Sequence, residues 1–391
     1  MELNKLPEVL LLGPGPSPVH KRVLEAMSCH TLGHLDPDFM TIMNETTELL
    51  RYVFETDNRI TFPVSGTGSA GMEAALVNTL EPGDKAVILV KGVFGERMAE
   101  GASRSGAEVI EVKAEWGQPV EPDALKKALS ANNKIKMVGV IHAETSTGVE
   151  QPLEPLAKLA HQHEALFLVD TVTSLGGLPV AVDKRDLDIV YSGAQKCLGA
   201  PPGLAPITFN ERALAQFEKR KAKVQSWYLD LSFLTRYWGD ERFYHHTAPI
   251  NMIYALYEAL KMIKEEGLEK RFQRHRLNSS ALIFGLSTMG VRPVVSEEYR
   301  LPSLLAVWVP EDVDDIEVRS RLRREHLIEI GGGLGPLKGK IWRIGMMGNG
   351  SNLTNIERLI KSLGKVLNEL GHKCSIEEAL STSQTRGQGL V

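Results

Sequence analysis

Five short apolar runs, at residues 86–90, 108–112, 137–141, 166–169 and 189–191, alternate with stretches of helical patterning through the first half of the chain. Near-continuous hydrophobicity over so short a run is what a strand buried on both faces needs, and the intervening helices supply the cover. The alternation therefore predicts an α/β fold with a mostly parallel sheet. Helices are expected at 96–104, 122–131 and 152–164. Pro122 and Pro152 would open the last two, because the first helical turn has no partner for its N–H groups anyway.

Beyond residue 250 the pattern changes. Ile253, Leu256, Leu260 and Ile263 recur at three- and four-residue steps, which predicts one long helix over about 251–290. A strand at 304–309, a helix at 314–326, a strand at 342–346 and an amphipathic helix at 353–370 then fit a small α+β domain. The expected division is an N-terminal arm 1–15, a large domain 16–267, a small domain 268–371 and a polar tail 372–391. The tail is rich in Ser, Thr, Gln and Gly, so it reads as unstructured or loosely docked. Its last residues, Gly389, Leu390 and Val391, differ from the Ser-Lys-Leu peroxisomal address.

Composition removes several classes of function. With 43% hydrophobic and 24% charged residues, the chain has ample material for a core, so disorder is not its dominant state. The formal charge of −4, from 45 basic and 49 acidic residues, argues against nucleic acid or an anionic membrane as the main partner. Apolar stretches are too short to span a bilayer. Three scattered cysteines, Cys29, Cys197 and Cys374, cannot supply a disulfide framework or a four-ligand zinc site. Reduced thiols and a cytoplasmic setting are expected.

Three segments could carry chemistry. Lys196 follows the apolar run ending at Tyr191 and precedes the turn Gly199-Ala200-Pro201-Pro202-Gly203. A loop lysine is ordinarily a solvated surface group. Held at the end of a buried strand, however, it loses pKa to desolvation, and the neutral amine can attack a carbonyl. Asp170 ends the run at 166–169, 26 residues before the lysine, and ligands of open α/β sheets gather at such strand ends. On its own it could be a helix cap. Facing a pyridine nitrogen, it would keep that nitrogen protonated. The loop Ser65-Gly66-Thr67-Gly68-Ser69 runs into an Ala-rich helix and offers N–H groups and hydroxyls to an anion, although an ordinary tight turn reads the same way. It lacks the Gly-Lys-Ser/Thr of a Walker loop. A phosphate cradle, an aldehyde-seeking amine and a ring-nitrogen acid together describe pyridoxal 5′-phosphate (PLP).

With these residues in view, the chain resembles the fold-type I, class V pyridoxal-phosphate aminotransferases, near the alanine–glyoxylate and serine–pyruvate aminotransferases. The resemblance runs from Leu12-Gly13-Pro14-Gly15-Pro16-Ser17 to Arg343-Ile344-Gly345, and Ser192-Gly193-Ala194-Gln195-Lys196 with its Pro-Pro-Gly turn is its most specific part. It implies a large, seven-stranded-type sheet domain and a smaller C-terminal α+β domain. It also implies that Lys196 takes the cofactor's aldehyde and Asp170 partners the ring nitrogen. Val172 would pack on one ring face, with Thr67, Gly68 and Ser69 cradling the phosphate beside Gln195. Thr145 would meet the phenolic oxygen, and Phe94 would cover the ring where close relatives carry tryptophan. Ser69 stands where some relatives have histidine. Tyr244 and Thr247 would reach the phosphate of a neighbouring subunit, which implies a homodimer with shared active sites. The paired His245 and His246 lack a third ligand at suitable spacing, so no metal is expected.

Arg343 lies in a strand between Trp342 and Ile344, a poor place for a solvated side chain. Its guanidinium can grip a carboxylate through two parallel hydrogen bonds, though a structural salt bridge is the alternative. Backbone near Gly15, together with Thr145, would line the rest of a substrate site. The expected activity is transfer of an amino group from a small amino acid, alanine or serine, to glyoxylate or pyruvate by a ping-pong cycle. The alternatives are another class V enzyme, with a different amino donor or as a lyase or desulfurase, and a phosphate-binding regulatory protein. A desulfurase needs a nucleophilic cysteine over the substrate, and Cys374 lies in the polar tail. A regulatory protein leaves Lys196, Asp170 and Arg343 without purpose.

Overall fold

A computed structural model describes residues 2 and 5–388, so Gly389, Leu390 and Val391 lie outside the described residues. Seven strands form the main sheet: β1 (Ile60–Ser65), β2 (Lys85–Val90), β3 (Glu108–Lys113), β4 (Ile135–Ile141), β5 (Leu166–Asp170), β6 (Ile189–Tyr191) and β7 (Leu204–Phe209). Their order is β1-β7-β6-β5-β4-β2-β3. Only β7 runs against its neighbours, so the carboxyl ends of β1, β2, β4, β5 and β6 share one edge with the start of β7. Five strands match the apolar runs of the sequence. β1 and β7 do not, because each contains a proline, which argues against a central strand. In the sheet Pro63 and Pro206 lie directly opposite one another.

Helices follow the strands at the same edge. α1 (Gly68–Thr79) begins two residues after β1, and α2 (Val93–Arg104) begins just after β2. The helix Pro122–Ala131 opens on its proline as expected. The next, Glu154–Gln162, is shorter than its expected span, and Pro155 rather than Pro152 occupies the first turn. A large apolar core, including Val87, Ile88, Val140, Phe167, Leu168 and Val190, lies against the sheet.

The long helix expected over 251–290 is two helices, α3 (Ile250–Glu266) and α4 (Leu268–Thr288). Gly267 separates them at φ +83°, a left-handed conformation that favours glycine. The apolar period resumes beyond the break, which is why periodicity alone runs through it. β8 (Leu304–Trp308), β9 (Gly331–Gly332) and β10 (Ile341–Gly345) form a small antiparallel sheet in the order β8-β10-β9. α4, this sheet and α5 (Leu353–Glu369) share a second core with Leu12 from the N-terminal stretch. Nearby, Leu10–Leu11 pairs in parallel with Ile328–Glu329.

The polar tail departs from expectation: α6 (Ile376–Gln388) packs on α4 and α5. The Ser375 hydroxyl accepts a hydrogen bond from the Glu378 N–H, a cap that starts the helix. Ala379 is fully buried in the second core, and Ser383 is nearly so. A Cβ on Gly285 would stand 2.9 Å from the Ala379 carbonyl oxygen, so that glycine admits the close approach. Among the described residues, no helix is long and apolar enough to cross a membrane.

Candidate active site

A cavity of about 420 Å³ opens at the carboxyl edge of the main sheet. Asp170 and Val172 reach it from the end of β5, Gln195 and Lys196 from the loop after β6, and Thr67, Gly68 and Ser69 from the start of α1. Phe94 lines it from the first turn of α2, and Thr145 from the turn joining the short strands Ala143–Glu144 and Val149–Glu150. Nine of the residues singled out in the sequence therefore meet around one space.

Lys196 is 8% exposed, and its Nζ donates to the Pro14 carbonyl oxygen. Burial, with the Arg343 guanidinium contributing, lowers its pKa from 10.5 to about 8. The N-terminal stretch holds the loop in place. Ser17 Oγ donates to the Lys196 carbonyl oxygen at 2.7 Å, and the Ser17 N–H donates to that of Gln195 at 2.8 Å. Gly15 sits at φ +110°, and a Cβ there would stand 2.6 Å from Lys196 Nζ. Gly15 thus lies against the lysine without itself lining the cavity.

Asp170 is buried, and its Oδ1 accepts the Val172 N–H at 2.8 Å while Oδ2 accepts the Tyr191 hydroxyl at 2.6 Å. Burial raises its pKa to about 6 against the lowering effect of those two hydrogen bonds. Sequence reasoning did not single out Tyr191, whose hydroxyl holds the Asp170 carboxylate. The only available sign was its place at the end of an apolar run beside the strand carrying Asp170. Thr67 caps α1 without a side-chain capping bond, so its hydroxyl and the first N–H groups of α1 remain for an anion. Gln195 Oε1 is buried without a hydrogen-bond partner, so that acceptor is left over for a donor on a ligand. Gly68 packs against Val172, where a Cβ would be 3.0 Å from Val172 Cγ2.

Thr145 and Arg343 are joined through the backbone. Arg343 on β10 is buried, with Nε donating to the Gly332 carbonyl oxygen at 2.7 Å and one terminal nitrogen donating to that of Thr145 at 3.3 Å. Burial lowers its pKa to about 10. It does not line the cavity, and among the described residues no acidic side chain hydrogen-bonds it. Thr145 Oγ1 shares a hydrogen bond with Thr173 Oγ1 at 2.7 Å. Phe94 is half-buried, with the Arg97 guanidinium 5.0 Å from its ring centre. Tyr244 and Thr247 lie elsewhere: both are exposed, their hydroxyls 3.3 Å apart, and neither lines this cavity. His245 and His246 bond one another through Nδ1 atoms at 2.9 Å. Among the described residues, no group of three or more His, Cys, Asp or Glu could hold a metal ion.

The fold and this cavity define a fold-type I enzyme, and the chain belongs to the class-V aminotransferase family, whose profile matches residues 9–336. It is 40% identical over 385 residues to (S)-ureidoglycine–glyoxylate transaminase of Bacillus subtilis, covering 94% of this chain and 92% of that protein. It is 40% identical over 366 residues to alanine–glyoxylate aminotransferase of Rattus norvegicus, covering 93% and 88%. The crystal structure of an alanine–glyoxylate aminotransferase from Nostoc sp. superposes with a TM-score of 0.92 at 47% identity, covering 94% of this chain and 97% of that one. The protein is a class V aminotransferase, and its cofactor is pyridoxal 5′-phosphate. The residues fit that group: an amine of lowered pKa, a buried carboxylate, an open helix N-terminus and an unpartnered amide oxygen surround one cavity.

Proposed function

We propose that this enzyme moves the amino group of a small amino acid, alanine or serine, to glyoxylate or pyruvate by a ping-pong cycle. The observation that carries the reading is the meeting of two buried ionisable groups, the Lys196 amine and the Asp170 carboxylate, in one cavity behind which Arg343 stands. When bound, pyridoxal phosphate supplies an electron sink for the charge left at the amino acid's Cα. Lys196 would hold the cofactor's aldehyde and, once freed, its Nζ would take up and return the Cα proton; a pKa of about 8 suits that work near neutrality. Asp170 would keep the ring nitrogen protonated. Phe94 and Val172 would cover the two ring faces, and Thr145 would meet the phenolic oxygen. Thr67, Gly68 and Ser69 would hold the phosphate, with Gln195 beside it. Arg343 grips the substrate carboxylate beside Gly15.

Names of similar proteins support glyoxylate as acceptor and alanine as one donor. A desulfurase is disfavoured: Cys197 is buried away from the cavity with its thiol pushed up to about 11, and Cys374 packs in the second core. A homodimer is supported by exposed Trp227, Tyr228, Phe243 and Tyr244 on one face, with the exposed hydroxyls of Tyr244 and Thr247 placed to serve a neighbour's site. All three cysteines are free, which supports the cytoplasm. The chain divides at Gly267 into a large domain and a small one, with the N-terminal arm reaching across to the latter. Purified protein loaded with cofactor should convert alanine or serine to the oxoacid with glyoxylate and with pyruvate as acceptors. Absence of exchange in all four pairings would overturn the substrate assignment, and sedimentation analysis showing only monomer would overturn the dimer.

A further inference from the structure

We propose that Glu144 is a positioning residue of this site: its buried carboxylate fixes the first turn of α2 and so sets where the Phe94 ring stands over the cavity. The inference rests on the cofactor reading above.

A helix leaves its first N–H groups without partners. The residue capping α2 is Gly92, which has no side chain to offer. The turn between the two short strands supplies what is missing. Ser146 Oγ accepts the Val93 N–H at 3.0 Å, Glu144 Oε1 accepts that of Phe94 at 3.5 Å, and Glu144 Oε2 accepts that of Gly95 at 3.3 Å. Three consecutive N–H groups around Phe94 are thus held from another element. Ser146 in turn donates to Glu144 Oε1 through its N–H at 3.2 Å and its hydroxyl at 2.5 Å. A negative charge at a helix N-terminus also meets the positive end of the dipole.

Glycine at position 92 belongs to the same device. A Cβ there would lie 2.6 Å from Glu144 Cδ and 2.3 Å from Ser146 Oγ, so any other residue would expel the carboxylate. Glu144 is fully buried and bonds nothing outside this cluster. Such a burial is costly unless the charge is compensated. Here compensation comes from the helix N-terminus and from the cations Lys91 and Arg343. The next residue, Thr145, receives the Arg343 guanidinium through its carbonyl, so one turn braces both the aromatic face and the carboxylate grip.

The test measures the dissociation constant of pyridoxal phosphate from folded apoprotein by absorbance titration, alongside the apoprotein's Tm. Glu144→Gln should weaken cofactor binding about tenfold, and Ser146→Ala a few-fold, because each loosens the Phe94 turn. Since both act through the ring, Glu144→Gln should change affinity by less than about twofold in a Phe94→Leu background. Unchanged affinity in folded Glu144→Gln, or effects that multiply fully in the double variant, would overturn the proposal. If Glu144→Gln does not fold, Ser146→Ala with and without Phe94→Leu decides on the same criteria. Failure of the wild-type protein to bind the cofactor would instead strike the cofactor reading.

Discussion

The Tyr191 hydroxyl donates a 2.6 Å hydrogen bond to Asp170 Oδ2 from the neighbouring strand, where the two residues are direct partners in register. The same carboxylate accepts the Val172 N–H, so it is fixed from both sides and cannot turn away from the cavity.

Burial pushes Asp170 up to about 6 from an ordinary 3.8. Between those values the folded apoprotein keeps a proton that the unfolded chain has released. This group therefore makes folding less favourable as pH climbs through that window. Asp170→Asn should remove the slope. Urea titrations of apoprotein at pH 4 and pH 6.5 should show the wild type losing on the order of 2–3 kcal/mol more than the variant; parallel curves would refute the shift.

Lys196 has its amine lowered to about 8. The rate at which apoprotein captures pyridoxal phosphate should rise about tenfold per pH unit below that value and level off above it. Stopped-flow absorbance checks this. Lys196→Ala should show neither the visible band nor turnover.

Arg343→Lys keeps the charge and loses the planar fork. It should lower kcat/KM for both amino acid and oxoacid about 100-fold, chiefly through KM, while cofactor affinity holds. Steady-state kinetics with each substrate would expose a purely structural role as a loss of folded protein with unchanged KM.

Gly15→Ala places a Cβ 2.6 to 2.7 Å from the Lys196 side chain at a backbone angle of φ +110°. The lysine must move, so activity should fall by at least about 100-fold in protein that still folds. Circular dichroism and turnover, measured together, separate the two effects.

Removing the cap of α6 by Ser375→Ala should cost about 1 kcal/mol. Placing a charge in the second core by Ala379→Asp should cost several kcal/mol. A truly undocked tail would tolerate both, with no change in Tm.

Much of this molecule was legible from residue order. Four of seven main strands announced themselves because burial on both faces demands unbroken hydrophobicity, and the edge strand β3 showed through its valines and isoleucine. The lysine, the acid and the glycine-rich loop stood out because each ends or begins such a run. The remainder depended on what lies far away in sequence. Pro63 and Pro206 concealed β1 and β7, since only the sheet shows them paired. Ser, Thr and Gln made α6 look disordered, although the Ser375 hydroxyl caps the helix through the Glu378 N–H and Ile376, Ala379 and Ser383 share one face. Glu144 was passed over because its partners, Phe94 and Gly95 at the start of α2, lie about fifty positions earlier.

The pairing of Leu10–Leu11 with Ile328–Glu329, and the burial of Leu12 among side chains of the C-terminal third, mean that this third cannot fold to completion alone. A fragment excised from 268 onward would expose the seat of Leu12 to water. During synthesis, the opening residues leave the ribosome first yet must wait for nearly the entire polypeptide before finding their place. The reactive amine is braced by Pro14 and Ser17 of that same stretch, so its setting is tied to a pairing that closes across more than three hundred positions.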